Sequence, residues 1–506
     1  MTSGFENRGA EFTQDLCSAI ESYTASELGR NPRGYLYRGM QLRYAVERHL
    51  YIQCINSTEL YNSYLENLGT ECSTSALRNL NSIETQIGHF LFKRPVPQSH
   101  RLWRIVRRLV SSAKSVGAWW RYRSPSVLVL NSSKQRVAVL INVVNLKFAR
   151  YLTQITEQLK PSSFAYLTVA DTILSEQLKN TGNPIVRVSE KISHGHHIFV
   201  SSALSEFSRL LFDTDATLAA LAALRPKCVV VVEGNAPIDA ITAEACRQLE
   251  IPCYCIQQGW SPYIHNGFRN LDYTEMLVWG RRFAEMLRPH NPKQRFSVVG
   301  SHIVGGRSPR QAPQWIRALG FFLQAPCALL SLSSYNVFID LIADVAQTQP
   351  DVQVIIREHP SYPMPAVQQH IFKNYLNVHF SVPAAEPLSE TIAACDMVVS
   401  VFSTVLLEAL AMGVVPMICS IGALNRYEPD IASTGAAIEV YSVAEALQTI
   451  HELIAAPERL TPIREAIAKT VDDFFSNTNA AEAIATRLQA NAFPNTPLTS
   501  KALLPS

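Results

Sequence analysis

VQVIIREHPSYP (352–363) and CDMVVSVFSTVLLEALAMGVVPMIC (395–419) decide the fold. Each opens with a short apolar run rich in Val and Ile, and each run ends in a polar cluster. The first cluster is Arg357-Glu358-His359-Pro360, and the second runs from Ser400 to Thr404. In an open parallel α/β sheet such clusters fall at the carboxyl ends of neighbouring strands, where ligands bind. The second cluster leads into a helix expected over 403–412, with Ser403 and Thr404 in its first turn and Glu408 about one turn further on. Unpaired N–H groups at a helix start attract phosphate, so the stretch predicts a pocket for a phosphorylated ligand.

Outward from this stretch, strands and helices alternate in both directions. CALLSLSS (327–334) predicts a strand, 336–347 and 386–394 predict helices, and VVPMICS (414–420) a further strand. Upstream, SVLVL (126–130), VAVLINV (137–143), FAYLTVA (164–170), CVVVV (228–232), PCYCIQ (252–257), EMLVWG (275–280) and FSVVG (296–300) predict strands. Helices are expected at 145–159, 200–224 and 237–249. That spacing predicts parallel sheets covered on both faces, in two Rossmann-like α/β domains that face a cleft. A linker with Gly305, Gly306, Pro309 and Pro313 separates them, and closing helices at 442–491 end with one expected to pack back on the first domain. The expected division is 1–125 helical, 126–310 for the first domain, 311–480 for the second, and 481–506 as terminal helix and tail.

At 506 residues the chain exceeds one ordinary core, which agrees with this division. Apolar residues at 47% and charged residues at 17% argue for a globular protein, and a net charge of +3 gives no general case for nucleic acid. Ten scattered cysteines, several in strand-like runs, and a start without a basic-then-apolar signal point to a reducing cytoplasm. Cys253-Tyr254-Cys255 alternates as a strand does and lacks the second ligand pair of a zinc site. No apolar run is long enough to span a membrane.

The first 92 residues are polar, with helical periodicity in QLRYAVERHLYIQCI and SALRNLNSIETQIGHFLF, and carry no recognisable chemistry. Residues 99–123 combine seven Arg and Lys with Trp103, Trp119 and Trp120. Such a basic helix suits peripheral contact with the inner face of an anionic membrane; a solvated basic face over packed aromatics is the alternative.

Four clusters can carry chemistry. Glu233, directly after CVVVV, suits a general base toward a hydroxyl, or a cap for the helix that starts near Pro237; Asn235 follows it. Gln258 and His265, in glycine-containing loops, suit a sugar ring or the loops themselves. His359, with Arg357 before it, can donate to a phosphate or protonate a leaving oxygen. Ser400, Ser403 and Thr404 suit a phosphate, Glu408 a ribose, and Ser333 and Ser334 a further phosphate wall.

With these residues in view, the chain resembles GT-B glycosyltransferases of the bacterial capsule and lipopolysaccharide group. The resemblance rests on E-H-P at 358–360 and on S-x-x-S-T-x-x-x-E-A-L-x-x-G-x-x-P from Ser400, covering about residues 326–480. It also rests on EGNAPIDAITAEACRQLEIPCYCIQQGW (233–260). It is closest in pattern to sialyl-, polysialyl- and Kdo transferases that use CMP-sugars, with Val232 standing where their motif has an acidic residue. The resemblance implies Glu233 as base, His359 at the departing phosphate, Ser403 and Thr404 binding that phosphate, and Glu408 near the ribose. The expected partners are a nucleotide-sugar donor and a glycan or glycolipid acceptor, with no cofactor and no metal. The rivals are a UDP-sugar hexosyltransferase, a UDP-sugar 2-epimerase, a polyol-phosphate transferase of the teichoic-acid type, and a glycan-binding protein without turnover.

Overall fold

CVVVV is buried along its whole length, as a strand covered on both faces must be, and it lies inside an eight-stranded sheet. The computed structural model describes residues 8–67, 80–95, 122–130, 137–159, 163–169, 172–179, 183–193, 200–201, 203–261, 263–303, 314–327, 330–360, 362–383, 385–421, 429–476 and 479–492. A small hairpin, β1 (Leu36–Tyr37) and β2 (Met40–Gln41), precedes the sheets. The first sheet comprises β3 (Tyr122–Leu130), β4 (Val139–Asn142), β5 (Phe164–Val169), β6 (Ile185–Ser193), β7 (Cys228–Val232), β8 (Cys253–Ile256), β9 (Glu275–Val278) and β10 (Phe296–Val298). Its spatial order is β10-β9-β8-β7-β4-β5-β6-β3, parallel except for β3, which pairs antiparallel with β6 at the edge.

The second sheet comprises β11 (Ala318–Phe322), β12 (Gln353–Arg357), β13 (Val378–Ser381), β14 (Met397–Ser400), β15 (Val415–Cys419) and β16 (Ile438–Val440). Its order is β13-β12-β11-β14-β15-β16, parallel throughout. Both sheets are Rossmann-like, which is the GT-B architecture. In each the chain fills one side and then reverses, between β4 and β7 in the first sheet and between β11 and β14 in the second. A strand-order reversal opens a crevice at the carboxyl ends of the two strands, and open α/β sheets bind ligands there.

Several expectations are corrected. Among the described residues of CALLSLSS there is no strand: Cys327 makes an isolated bridge to Leu330, and Ser331 caps a helix, Leu332–Thr348, by accepting the Ser334 N–H at 3.0 Å. The strand is instead ALGFF, buried throughout and paired on both sides, where a side chain on Gly320 would run into Cys395. The helix expected over 403–412 starts at Val405, so Ser403 and Thr404 form the turn that enters it. The helix expected over 145–159 breaks at Leu152 into Leu146–Tyr151 and Thr153–Gln158, and the one expected from 200 begins at Ser208. β6, β13, β16 and the helix Thr172–Lys179 lie in stretches where no element was anticipated.

The N-terminal helices Gly9–Arg30, Arg43–Ile55, Thr58–Asn67 and Ser82–Leu91 share one continuous core with both sheets, through Phe12, Leu16, Val46, Leu50 and Ile87. At the other end the chain returns. Phe475 stacks on Trp279 at 5.7 Å, and the Asp473–Phe474 backbone fills the space a side chain on Gly280 would need. The last described helix, Ala480–Ala492, buries Ile484, Ala485 and Leu488 in the core of the first domain, beside Val139, Ile141 and Val230. Arg487 clasps the Glu275 carboxylate of β9 with bonds of 2.6 and 2.9 Å. The basic, tryptophan-bearing helix expected at 99–123 lies outside the described residues except for its end, where β3 begins at Tyr122. Among the described residues no helix is long and apolar enough to cross a membrane.

Candidate active site

Glu233 is the first residue past β7, at the reversal point of the first sheet, and its backbone is left-handed with φ 68°. Gly234 follows at φ 76°, where a side chain would also strike Cys255. The Glu233 N–H donates to Ile256 O at 2.8 Å, which pins the turn to β8. A Cβ added to Gly259 would lie 3.1 Å from Glu233 Oε1, so the carboxylate stands against the loop that leaves β8. It keeps some surface, and the burial of the rest raises its pKa above the ordinary carboxylate value while Lys147 pulls it back.

Lys147 is a residue of this cleft that sequence reading passed over. It follows the other strand of the reversal, β4, in the helix Leu146–Tyr151, whose start is fixed by Asn145 accepting the Phe148 N–H at 3.1 Å. The side chain is exposed and lies 5.3 Å from the Tyr151 ring. Its charge acts on groups of both domains: on Glu233, and across the cleft on His359 and Glu408. Tyr151 of the same helix in turn feels the Glu408 carboxylate. The Thr404 hydroxyl crosses as well, donating to Trp260 O at 3.2 Å. The sequence signal was an Asn cap and a lysine just past a buried strand; what was missing was the strand order that makes β4 the partner of β7.

From the second domain, Glu408 projects one turn into Val405–Ala411, and burial raises its pKa to about 7 against the lowering pull of Lys147 and Arg357. A carboxyl so poised accepts or donates a hydrogen bond near neutrality. His359, which bridges to Tyr362 just past β12, has its pKa lowered by burial and by Lys147, so its imidazole is neutral at pH 7 and carries one N–H. Ser403 Oγ receives the Val405 N–H at 3.3 Å. Ser333 is exposed on the first turn of Leu332–Thr348, at the reversal point of the second sheet, while Ser334 Oγ is 2.9 Å from Ser331 Oγ.

Three other candidates serve the fold. Arg357 is buried, and its guanidinium donates to Ser381 and Thr391 hydroxyls at 2.7 Å and to Glu386 O at 2.9 Å. Ser400 is fully buried and donates to Phe322 O at 2.8 Å, tying β14 to β11. His265 lies flat on Tyr51 at 4.3 Å, accepts the Gly267 N–H on Nδ1 at 3.0 Å, and is held neutral with its pKa lowered to about 3, chiefly by burial. Asn235 remains at the partly open lip beside Glu233. Gln258 is 4% exposed, with Oε1 3.1 Å from His302 Nε2. The structure therefore brings Glu233, Asn235, Lys147, His359, Glu408 and Thr404 to one cleft, while the polar groups of Arg357, Ser400 and His265 named above are engaged by the protein around it.

No protein-family model matches the chain, and no curated protein matches it. Among solved structures it is similar to the UDP-GlcNAc 2-epimerase from Neisseria meningitidis bound to UDP-GlcNAc, at 13% identity and TM-score 0.48, over 69% of this chain and 98% of that one. It is similar to Acinetobacter baumannii MurG at 13% identity and TM-score 0.47, over 69% and 99%. A third is the glycosyltransferase SnogD from Streptomyces nogalater, at 16% identity and TM-score 0.44, over 71% and 100%.

Proposed function

We propose that the chain is a glycosyltransferase that moves a sugar from a nucleotide-activated donor, with CMP-activated acids favoured, to a hydroxyl of a surface glycan or glycolipid. The observation that carries this reading is the Thr404 hydroxyl bond to Trp260 O at 3.2 Å, which joins the strand ends of the two domains where Lys147 faces Glu233 on one side and His359 and Glu408 on the other. A base on one wall, and a cation with neutral hydrogen-bond donors facing the opposite wall, are the parts that glycosyl transfer needs.

In the proposed reaction the acceptor oxygen attacks the anomeric carbon as its proton passes to a Glu233 carboxylate oxygen. The bond from that carbon to the nucleotide phosphate breaks, and its electron pair stays on the phosphate oxygen. Lys147 and the His359 N–H meet the charge that develops there, where fixed donors act more strongly than water does. Burial brings Glu233 nearer to neutrality, which strengthens it as a base. Glu408 holds the ribose hydroxyls, and Ser403 with the Ser333–Ser334 turn flanks the phosphate. Arg357, Ser400 and His265 stand outside this set because their polar atoms already serve the fold.

The test is thermal stability of the full chain against CMP, CDP, UDP and GDP. A ligand at a hundred times its Kd adds about 2.7 kcal/mol. A selective CMP response that Lys147→Met weakens supports the reading. A response to UDP alone moves the donor to a UDP-sugar, and no response to any nucleotide overturns the assignment.

A further inference from the structure

The turn that carries Glu233 is an expensive piece of backbone. Two successive residues, Glu233 and Gly234, are left-handed, and a non-glycine residue holds that conformation only where its surroundings enforce it. Part of the enforcement comes from the first domain itself, through the Glu233 N–H on Ile256 O and the Ala236 N–H on Asp239 Oδ2 at 3.1 Å.

The rest comes from the N-terminal helices. Arg48, in the helix Arg43–Ile55, is 2% exposed, and its Nη1 donates to Ala236 O and to Tyr273 Oη, each at 3.3 Å. Tyr273 Oη donates in turn to Gly234 O at 2.9 Å. One guanidinium thus reaches the carbonyl of Ala236 directly and that of Gly234 through a buried phenol. Nothing about packing alone favours a charged side chain here: burying a guanidinium is costly, and its Nε finds no protein partner among the described residues. The buried acid it acts on is Asp239, the residue that caps the next helix, whose pKa burial raises to about 7 against the lowering pull of Arg48.

One turn further along the same helix, Tyr51 stacks on His265. A Cβ on Gly267, whose N–H His265 receives, would lie 2.9 Å from the backbone oxygen of Asn235. Arg48 and Tyr51 therefore brace both sides of 233–236 from one face of one helix.

We propose that Arg48 is a positioning residue for Glu233, and that through it the N-terminal helices form part of the active site. The proposal rests on the reading of Glu233 as the base, and its test separates the two. The full chain is compared as wild type, Arg48→Met, Arg48→Lys, Tyr273→Phe and Arg43→Gln. The last breaks the Arg43–Glu47 pair of the same helix and serves as a control.

Turnover with a responsive nucleotide-sugar is one readout, and amide hydrogen exchange of 233–236 is the other. Arg48→Met is expected to lower kcat 10- to 100-fold with donor KM and nucleotide Kd within about twofold, and to speed exchange at 233–236 without speeding it across 9–55. Tyr273→Phe gives a smaller loss of the same kind, Arg48→Lys recovers part of it, and Arg43→Gln leaves 233–236 unchanged. Should Arg48→Met fail to fold, Tyr273→Phe carries the same comparison. Unchanged kcat and exchange, or exchange that rises equally across the N-terminal helices, overturns the proposal. If the wild type transfers no sugar at all, the glycosyl-transfer reading falls, and the exchange at 233–236 still decides whether Arg48 sets the turn.

Discussion

The two reversal points use polar residues in opposite ways. Beside β4 and β7, Glu233 and Lys147 keep their charged ends for the cleft, and the strain of the Glu233 turn is borne by backbone bonds and neighbouring helices. Beside β11 and β14, the conspicuous polar residues are largely consumed: Ser400 bonds Phe322 O, the Phe402 N–H bonds Gln324, and Arg357 spends three donors on Ser381, Thr391 and Glu386. Polarity at a strand end is thus of two kinds. One kind is left facing the cleft and the other closes the loops around it, and the sequence writes both alike.

The largest expected effect is on the first kind. Glu233→Gln is expected to lower transfer by about 10²- to 10⁴-fold, the range for a general base, while nucleotide affinity stays within about twofold; turnover beside calorimetry measures both. Retained turnover would move the chemistry away from the first domain. Arg357→Met is the converse test. It removes three hydrogen bonds, leaving the Ser381 and Thr391 hydroxyls only each other and Pro387 O as partners, and is expected to cost about 3 kcal/mol of unfolding free energy by urea denaturation. If stability holds and nucleotide binding is lost instead, Arg357 belongs with the ligand and the contrast collapses.

Lys147→Met sharpens the contrast on the ligand side, since donor KM should rise roughly tenfold, or about 1.4 kcal/mol. Its sign in pH is fixed. Lys147 lowers the pKa of Glu233, so without it the carboxylate takes up its proton at higher pH and the acid limb of kcat/KM moves upward. An unmoved limb would mean that Glu233 is not the group being titrated. The smallest effect is that of Ser400→Ala, about 1 kcal/mol of stability with donor KM unchanged, read from the same denaturation and kinetic series.

Most of the architecture was legible because parallel strands buried on both faces read as unbroken apolar runs, as in CVVVV and the Val354-Ile355-Ile356 centre of β12. ALGFF was missed for a physical reason: Gly320, needed so that Cys395 can pack against the strand, breaks the apolar pattern, and the brighter CALLSL run drew the assignment. Glu233 and His359 stand out in the sequence from their strand-end positions, and Glu408 from the helix that follows β14. Lys147 was not, because only the strand order makes β4 adjacent to β7. The fate of Arg357 was equally hidden, since its partners lie 24 to 34 residues away and nothing local announces them.

The return of the chain to its first domain through Ala480–Ala492 has a practical reading for protein engineering. A hybrid made by exchanging the second α/β unit at the 303–314 connection alone would carry off the helix that covers β4 and β7 and an arginine that clasps Glu275. The exchangeable cassette is therefore internal, about 314–476, with two seams instead of one, and the recipient must keep its own tail.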